Sequence, residues 1–105
     1  MLPSPIIEGT LPAFYYSEIE NGAVLTVPFS MSRSVHSSEV EGFCLKIKNI
    51  QGGDVLLTLE AKKEDINFAD YQVKFKINKE VLDSKKFIVG NFYKAQLAYC
   101  YKEKN

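Results

Sequence analysis

The chain has no tryptophan, one histidine and two cysteines among its 105 residues. Each scarcity closes off a class of function. Two cysteines, Cys44 and Cys100, are too few for the disulfide framework of a small secreted scaffold. With them, the lone His36 does not give the three or four closely spaced ligands that a zinc site needs. Nor is there an excess of charge of either sign: 13 Lys and Arg stand against 13 Asp and Glu. Nucleic-acid binding draws on a basic surplus or a basic face, so the balance argues against it. No apolar run approaches the roughly 20 residues of a membrane-spanning helix. The opening M-L-P-S-P-I-I-E has neither the basic start nor the apolar stretch of a signal peptide. Neither a G-x-x-x-x-G-K-[ST] phosphate loop nor a G-x-S-x-G nucleophile elbow is present. His36 lies in a serine-rich loop without the third group that would make it a catalytic base, and reads as a solvated loop residue.

What the chain does have is alternation. Residues 43–50, 71–77 and 93–101 place apolar and polar side chains on opposite faces with a period of two, the mark of half-buried strands. Phe43, Leu45 and Ile47 point one way, and Cys44, Lys46 and Lys48 the other. Tyr71, Val73, Phe75 and Ile77 share a face, as do Tyr93, Ala95, Leu97, Tyr99 and Tyr101. Residues 23–29 form a further strand with Leu25, Val27 and Phe29 inward. Pro28, which lacks an amide donor, is expected to mark its end or a bulge. Asn21-Gly22 is a hairpin signal that would pair residues 15–20 with this strand. Residues 55–60 return from the Gln51-Gly52-Gly53-Asp54 turn with Val55, Leu57 and Leu59 inward.

Between these strands, Ser38-Glu39-Val40-Glu41 fits a capping box and predicts one helical turn. Asn78 offers an N-cap for a brief turn over 79–83. Residues 61–70 read as a charged loop. The Pro-broken residues 1–14 read as an extended segment along a sheet edge, anchored by Ile6, Ile7, Leu11 and Phe14.

Six or seven short strands punctuated by turns, with no ordinary amphipathic helix, predict an all-β sandwich. Gly90-Asn91 just before a strand opening with Tyr93 suggests the tyrosine corner of an immunoglobulin-like or fibronectin-III-like sandwich. Such a fold needs one more strand after the last, and Lys102-Glu103-Lys104-Asn105 has no apolar residue with which to build it. Three readings follow: the chain is a domain of a longer protein, which we prefer; the N-terminal segment covers the edge; or a partner donates a strand.

The residues carrying possible chemistry are few. Asp65-x-Asn67-x-x-Asp70 resembles part of a calcium loop but lacks the glycine and terminal glutamate in register. Glu39/Glu41 and Glu64/Asp65 read as solvated, without the cleft a glycosidase needs. Lys46, Lys48, Lys74, Lys76 and Lys94 alternate with core residues and could form a basic face, although solvated sheet surface is the simpler reading. Cys44 opens one strand and Cys100 closes its expected antiparallel neighbour, both on the outer face. They are placed so that they could pair across the strands, but cross-strand geometry is demanding and two free thiols are the preferred reading. No nucleophile–base pair is legible, so an enzyme ranks last, and no cofactor is expected.

Four segments carry a family resemblance: G-T-L-P-A-F at 9–14, T-V-P-F-S-M-S-R-S-V at 26–35, G-F-C-L-K-I-K at 42–48 and F-Y-K-A-Q-L-A-Y at 92–99. Together they resemble an immunoglobulin-like domain of bacteriophage tail, baseplate or fibre proteins, matched in order over most of the chain. The sequence departs from that pattern at Ser32, where Asn is typical, and at Ala95, where Val is. The family's chain also continues beyond the point where this sequence ends. The resemblance implies a non-enzymatic module of a virion, assembled in the host cytoplasm. Its partners would be copies of itself or other virion proteins, met through sheet edges. Two alternatives stand beside it. One is a carbohydrate-binding or host-adhesion sandwich with Tyr15, Tyr16 and Tyr71 as the glycan platform, weakened by the lack of tryptophan. The other is a five-stranded barrel stacking single-stranded bases, which the zero net charge disfavours.

Overall fold

A computed structural model describes residues 2–9, 19, 22–51, 53–83, 87 and 92–100. Among these, seven strands form two antiparallel sheets. They are β1 (Ile6–Ile7), β2 (Ala23–Ser30), β3 (Gly42–Asn49), β4 (Val55–Lys62), β5 (Ile66–Asn67), β6 (Gln72–Ile77) and β7 (Tyr93–Tyr99). One sheet runs β1-β2-β6-β5 and the other β4-β3-β7. The one described helix, α1 (Lys79–Asp83), follows Asn78 as the sequence predicts. Among the described residues no helix is long and apolar enough to cross a membrane.

The alternation that identified the strands also builds the core. Val27 of β2, Phe43 and Leu45 of β3, and Val73 and Phe75 of β6 are fully buried. They come from both sheets, so burying them is what holds the two layers face to face. Phe29 and Phe43 meet edge-to-face across the layers with ring centroids 5.1 Å apart, and Phe68 approaches both at 6.3 Å. Each such pair adds about 0.5–1.5 kcal/mol beyond its burial. Among the described residues no polar or charged side chain is buried.

Several expectations are corrected in detail. Pro28 neither ends β2 nor makes a bulge: the strand continues to Ser30. Its carbonyl accepts the Glu8 amide on the β1 side, where a returning donor would be required to extend the ladder. Proline has none, so β1 pairs only through Ile6↔Ser30 and Ile7↔Phe29. Val55, expected inward, is 42% exposed, because the register shifts between Ile47 and Lys48 where it pairs. Residues 61–70 are not simply loop. β4 runs on to Lys62 with Ala61 buried, a 3-10 turn covers Lys63–Asp65, and β5 pairs with β6 through buried Ile66.

The helical turn in the serine-rich loop falls at Ser37–Glu39, capped two residues earlier than expected. Glu39, not Glu41, closes its cap, accepting the His36 amide at 2.9 Å. Residues 15–18 and 20, expected to pair with β2, and Asn21 of the expected turn lie outside the described residues. Ile19 is buried, and its carbonyl accepts the Gly22 amide.

Candidate functional site

Among the described residues β4 and β7 are the two edge strands of their sheet, and β7 is the one bordered by a groove. Its partner β3 is the central strand of its sheet and pairs with it from Asn49↔Tyr93 to Phe43↔Tyr99. The Cys100 amide continues the ladder to the Gly42 carbonyl at 3.2 Å. In an antiparallel ladder main-chain groups alternate in direction. Ala98, Gln96 and Lys94 therefore face β3 with Cys100, while Ala95 and Leu97 direct their N–H and C=O groups to the other side. Among the described residues no strand is paired there. A row of such groups is a template for an added strand.

This edge has shape as well as hydrogen-bonding capacity. A groove of about 700 Å³ runs between residues 4–7 and residues 95–99, with Lys46 at its side. One end is tied off by the Tyr99 hydroxyl, which donates to the Pro3 carbonyl. The N-terminal segment thus leans on the end of β7 while β1 pairs with β2 in the opposite sheet. It borders the edge and does not pair along it. Residues 95–99 span roughly 17 Å of extended chain at about 3.4 Å per residue.

Gly42 fixes how closely the central strands approach. A Cβ there would lie 2.4 Å from the Ala61 carbonyl oxygen. On the other side of β3, the same end of the strand carries Cys100 beside Cys44. The two sulfurs are bonded, with Cα atoms 5.2 Å apart and a sequence separation of 56. Cys44 alternates with the core residues Phe43 and Leu45 and so faces outward, although only 7% of it is exposed. Directly opposite it on β4 is Glu60, whose partnership with the cysteines depends on strand register and is invisible in sequence spacing.

The other candidate residues do not gather. Tyr71 packs against the core and meets Phe29 edge-to-face at 5.6 Å. It takes a left-handed backbone conformation, φ 54°, and its carbonyl accepts the Phe29 amide. It is a corner residue turned inward, not an exposed platform, and Tyr15 and Tyr16 lie outside the described residues. Tyr93 opens β7 and packs on Phe87 with centroids 4.8 Å apart. The Gly90-Asn91 turn of the expected corner also lies outside the described residues.

The five strand lysines divide between the two outer faces. Lys46, Lys48 and Lys94 belong to the β4-β3-β7 sheet, and Lys74 and Lys76 to the other. They do not make one basic face. Asn67 Oδ1 accepts the amides of Ala69 and Asp70, and its Nδ2 donates to Asp70 Oδ2. Asp65 Oδ2 accepts the Lys62 amide. The calcium-like stretch is therefore a self-satisfied Asx turn. His36 and the carboxylates Glu39, Glu41, Glu64 and Asp65 are exposed. Compared with known proteins, the chain matches no family model, no curated protein and no solved structure.

Proposed function

We propose that the chain is a non-enzymatic structural module that assembles by strand addition at β7, of the immunoglobulin-like kind found in phage tail, baseplate or fibre proteins. The observation carrying this reading is the groove along residues 95–99, which lies beside the unpaired edge of β7. Strand order supports the immunoglobulin-type part. β1-β2-β6-β5 corresponds to the A-B-E-D sheet of that sandwich, and β4-β3-β7 to C′-C-F. The groove then occupies the position of strand G. An extended segment seated there would gain main-chain hydrogen bonds from Ala95 and Leu97, the physics of β-augmentation. The neutral net charge suits docking to protein rather than to nucleic acid. The inward turn of Tyr71 removes one member of the alternative glycan platform.

Native mass by light scattering over a concentration series tests the proposal, with Ala95→Pro as the probe. The Ala95 N–H faces the open side, so proline there spares the β3 ladder while removing a donor from the edge. Wild-type protein is expected to associate with rising concentration, and Ala95→Pro to stay monomeric with its fold intact. A wild-type chain that is strictly monomeric throughout, or a variant that associates equally well, refutes self-assembly through this edge.

A further inference from the structure

We propose that, once the Cys44–Cys100 disulfide is reduced, the two thiolates and the Glu60 carboxylate form a binding site for a soft divalent cation, Zn²⁺ foremost. Three adjacent strands bring the ligands together: Glu60 on β4, Cys44 on β3 and Cys100 at the end of β7. Cys44 and Glu60 are direct register partners. Cys100 stands two positions beyond Ala98, the partner of Cys44. One ligand atom from each residue lies within 4.8 Å of the others. Tetrahedral zinc, with bonds of about 2.3 Å to sulfur and about 2.0–2.2 Å to carboxylate oxygen, sets its ligand atoms roughly 3.5–3.8 Å apart. Reduction frees the two bonded sulfurs, which must then separate to that span while the Glu60 carboxylate swings toward them, movements that rotation about the side-chain bonds supplies.

Burial grades across the trio in a useful way. Cys44 is buried, Cys100 half-buried and Glu60 exposed. The sheet holds the thiolates from below, while the solvent side leaves a fourth position for water. Two thiolates and one carboxylate select a thiophilic ion over calcium or magnesium, which take oxygen ligands in larger number. The bound set would carry a net charge of about −1. Lys46 follows Cys44 by two on the same outer face, and Lys62 follows Glu60 by two, so both cations are close enough to offset it.

The chemistry balances in two steps. A dithiol reductant transfers two electrons and two protons, becoming a disulfide as Cys44 and Cys100 become thiols. Zn²⁺ then binds both sulfurs and releases those two protons. The oxidised protein has no thiolate to offer, so cation binding reports the redox state of the pair. This inference is independent of the assembly reading.

The test is a Co²⁺ titration of the phosphine-reduced full chain under anaerobic conditions. Visible and near-ultraviolet absorption is followed first, then displacement by Zn²⁺ in competition with a chromophoric chelator. One equivalent of Co²⁺ is expected to give tetrahedral d–d bands and a thiolate charge-transfer band, absent from the oxidised protein. Glu60→Gln, an exposed substitution, should weaken Zn²⁺ binding at least roughly 10-fold, the lower end of what losing even an outer-shell partner costs. Cys100→Ser should abolish the charge-transfer band of the two-thiolate site. Far-UV circular dichroism follows the fold throughout. The proposal is overturned if the reduced chain gives no tetrahedral signature at one equivalent, if Glu60→Gln binds as the wild type does, or if the oxidised form binds equally. It is also overturned if the reduced chain unfolds and the metal does not restore its spectrum.

Discussion

Removing the Cys44–Cys100 cross-link should lower stability by about 4 kcal/mol. The bridge spans a sequence separation of 56. In the chain-entropy treatment, cross-linking a denatured chain carries a constant worth about 0.6 kcal/mol at 25 °C and a logarithmic term worth about 3.6 kcal/mol for a loop of this size. Against a typical domain stability of about 5–15 kcal/mol, that is a large share. The assay is urea unfolding followed by circular dichroism, comparing oxidised protein, phosphine-reduced protein and Cys44→Ala/Cys100→Ala. With m near 1–3 kcal/mol/M for a domain of this size, the midpoint should fall by more than about 1 M. The slope m should rise on reduction, because the uncrosslinked denatured chain is more open and exposes more surface. A rise in m with a fall in midpoint separates a denatured-state effect from mere damage to the native packing. Two alkylatable thiols in oxidised, unreduced protein, or a midpoint indifferent to phosphine, would refute the reasoning.

Other perturbations probe the core and the turns. Leu45→Ala and Phe75→Ala, both at fully buried positions, should each cost about 2–5 kcal/mol in urea unfolding. Val24→Ala, on the outer face and 52% exposed, should cost under about 0.5 kcal/mol, and equal losses at the three sites would mean the strand registers are wrong. Gly42→Ala forces a methyl group against the Ala61 carbonyl and should cost about 1–3 kcal/mol; an unchanged midpoint would show that β3 and β4 yield freely there. Asn67→Ala leaves two amides without their side-chain acceptor and should cost about 1 kcal/mol, since both remain exposed to water. Hydrogen exchange at Ala69 and Asp70 should accelerate with it, and unaltered exchange would remove Asn67 from that role.

Period-two alternation is a local property, set by the pleat and by which side chains water expels. It was therefore enough to mark β2, β3, β6 and β7 and to assign Val27, Phe43, Leu45, Val73 and Phe75 to the interior. The short helix after Asn78 and the turn around Gly53 were likewise legible, because a cap and a positive φ are demands on neighbouring residues. β5 escaped notice because two residues cannot display a period. The cap at His36 lies two residues before the expected Ser38, because the S-x-x-E pattern fits Ser38 while the turn is set between the buried anchors Val35 and Val40.

What lies between strands was decided by tertiary structure alone. Nothing in the spacing of Cys44 and Glu60 hints that β4 sets them opposite each other. Pairing register depends on the whole inner face of two strands and on the shift at Ile47/Lys48. The lysines that alternate alike in sequence part company because β6 and β3 belong to different sheets. Alternation sets Tyr71 on the face of Val73 and Phe75, but that a left-handed corner there brings the ring onto Phe29 of the neighbouring strand is a matter of pairing. The groove beside Leu97 forms where the N-terminal segment and the edge of β7 come together from opposite ends of the chain. Sequence fixes which face of a strand turns inward, since water acts on each residue in place. Which strands become neighbours is settled only when the two sheets bury those faces together.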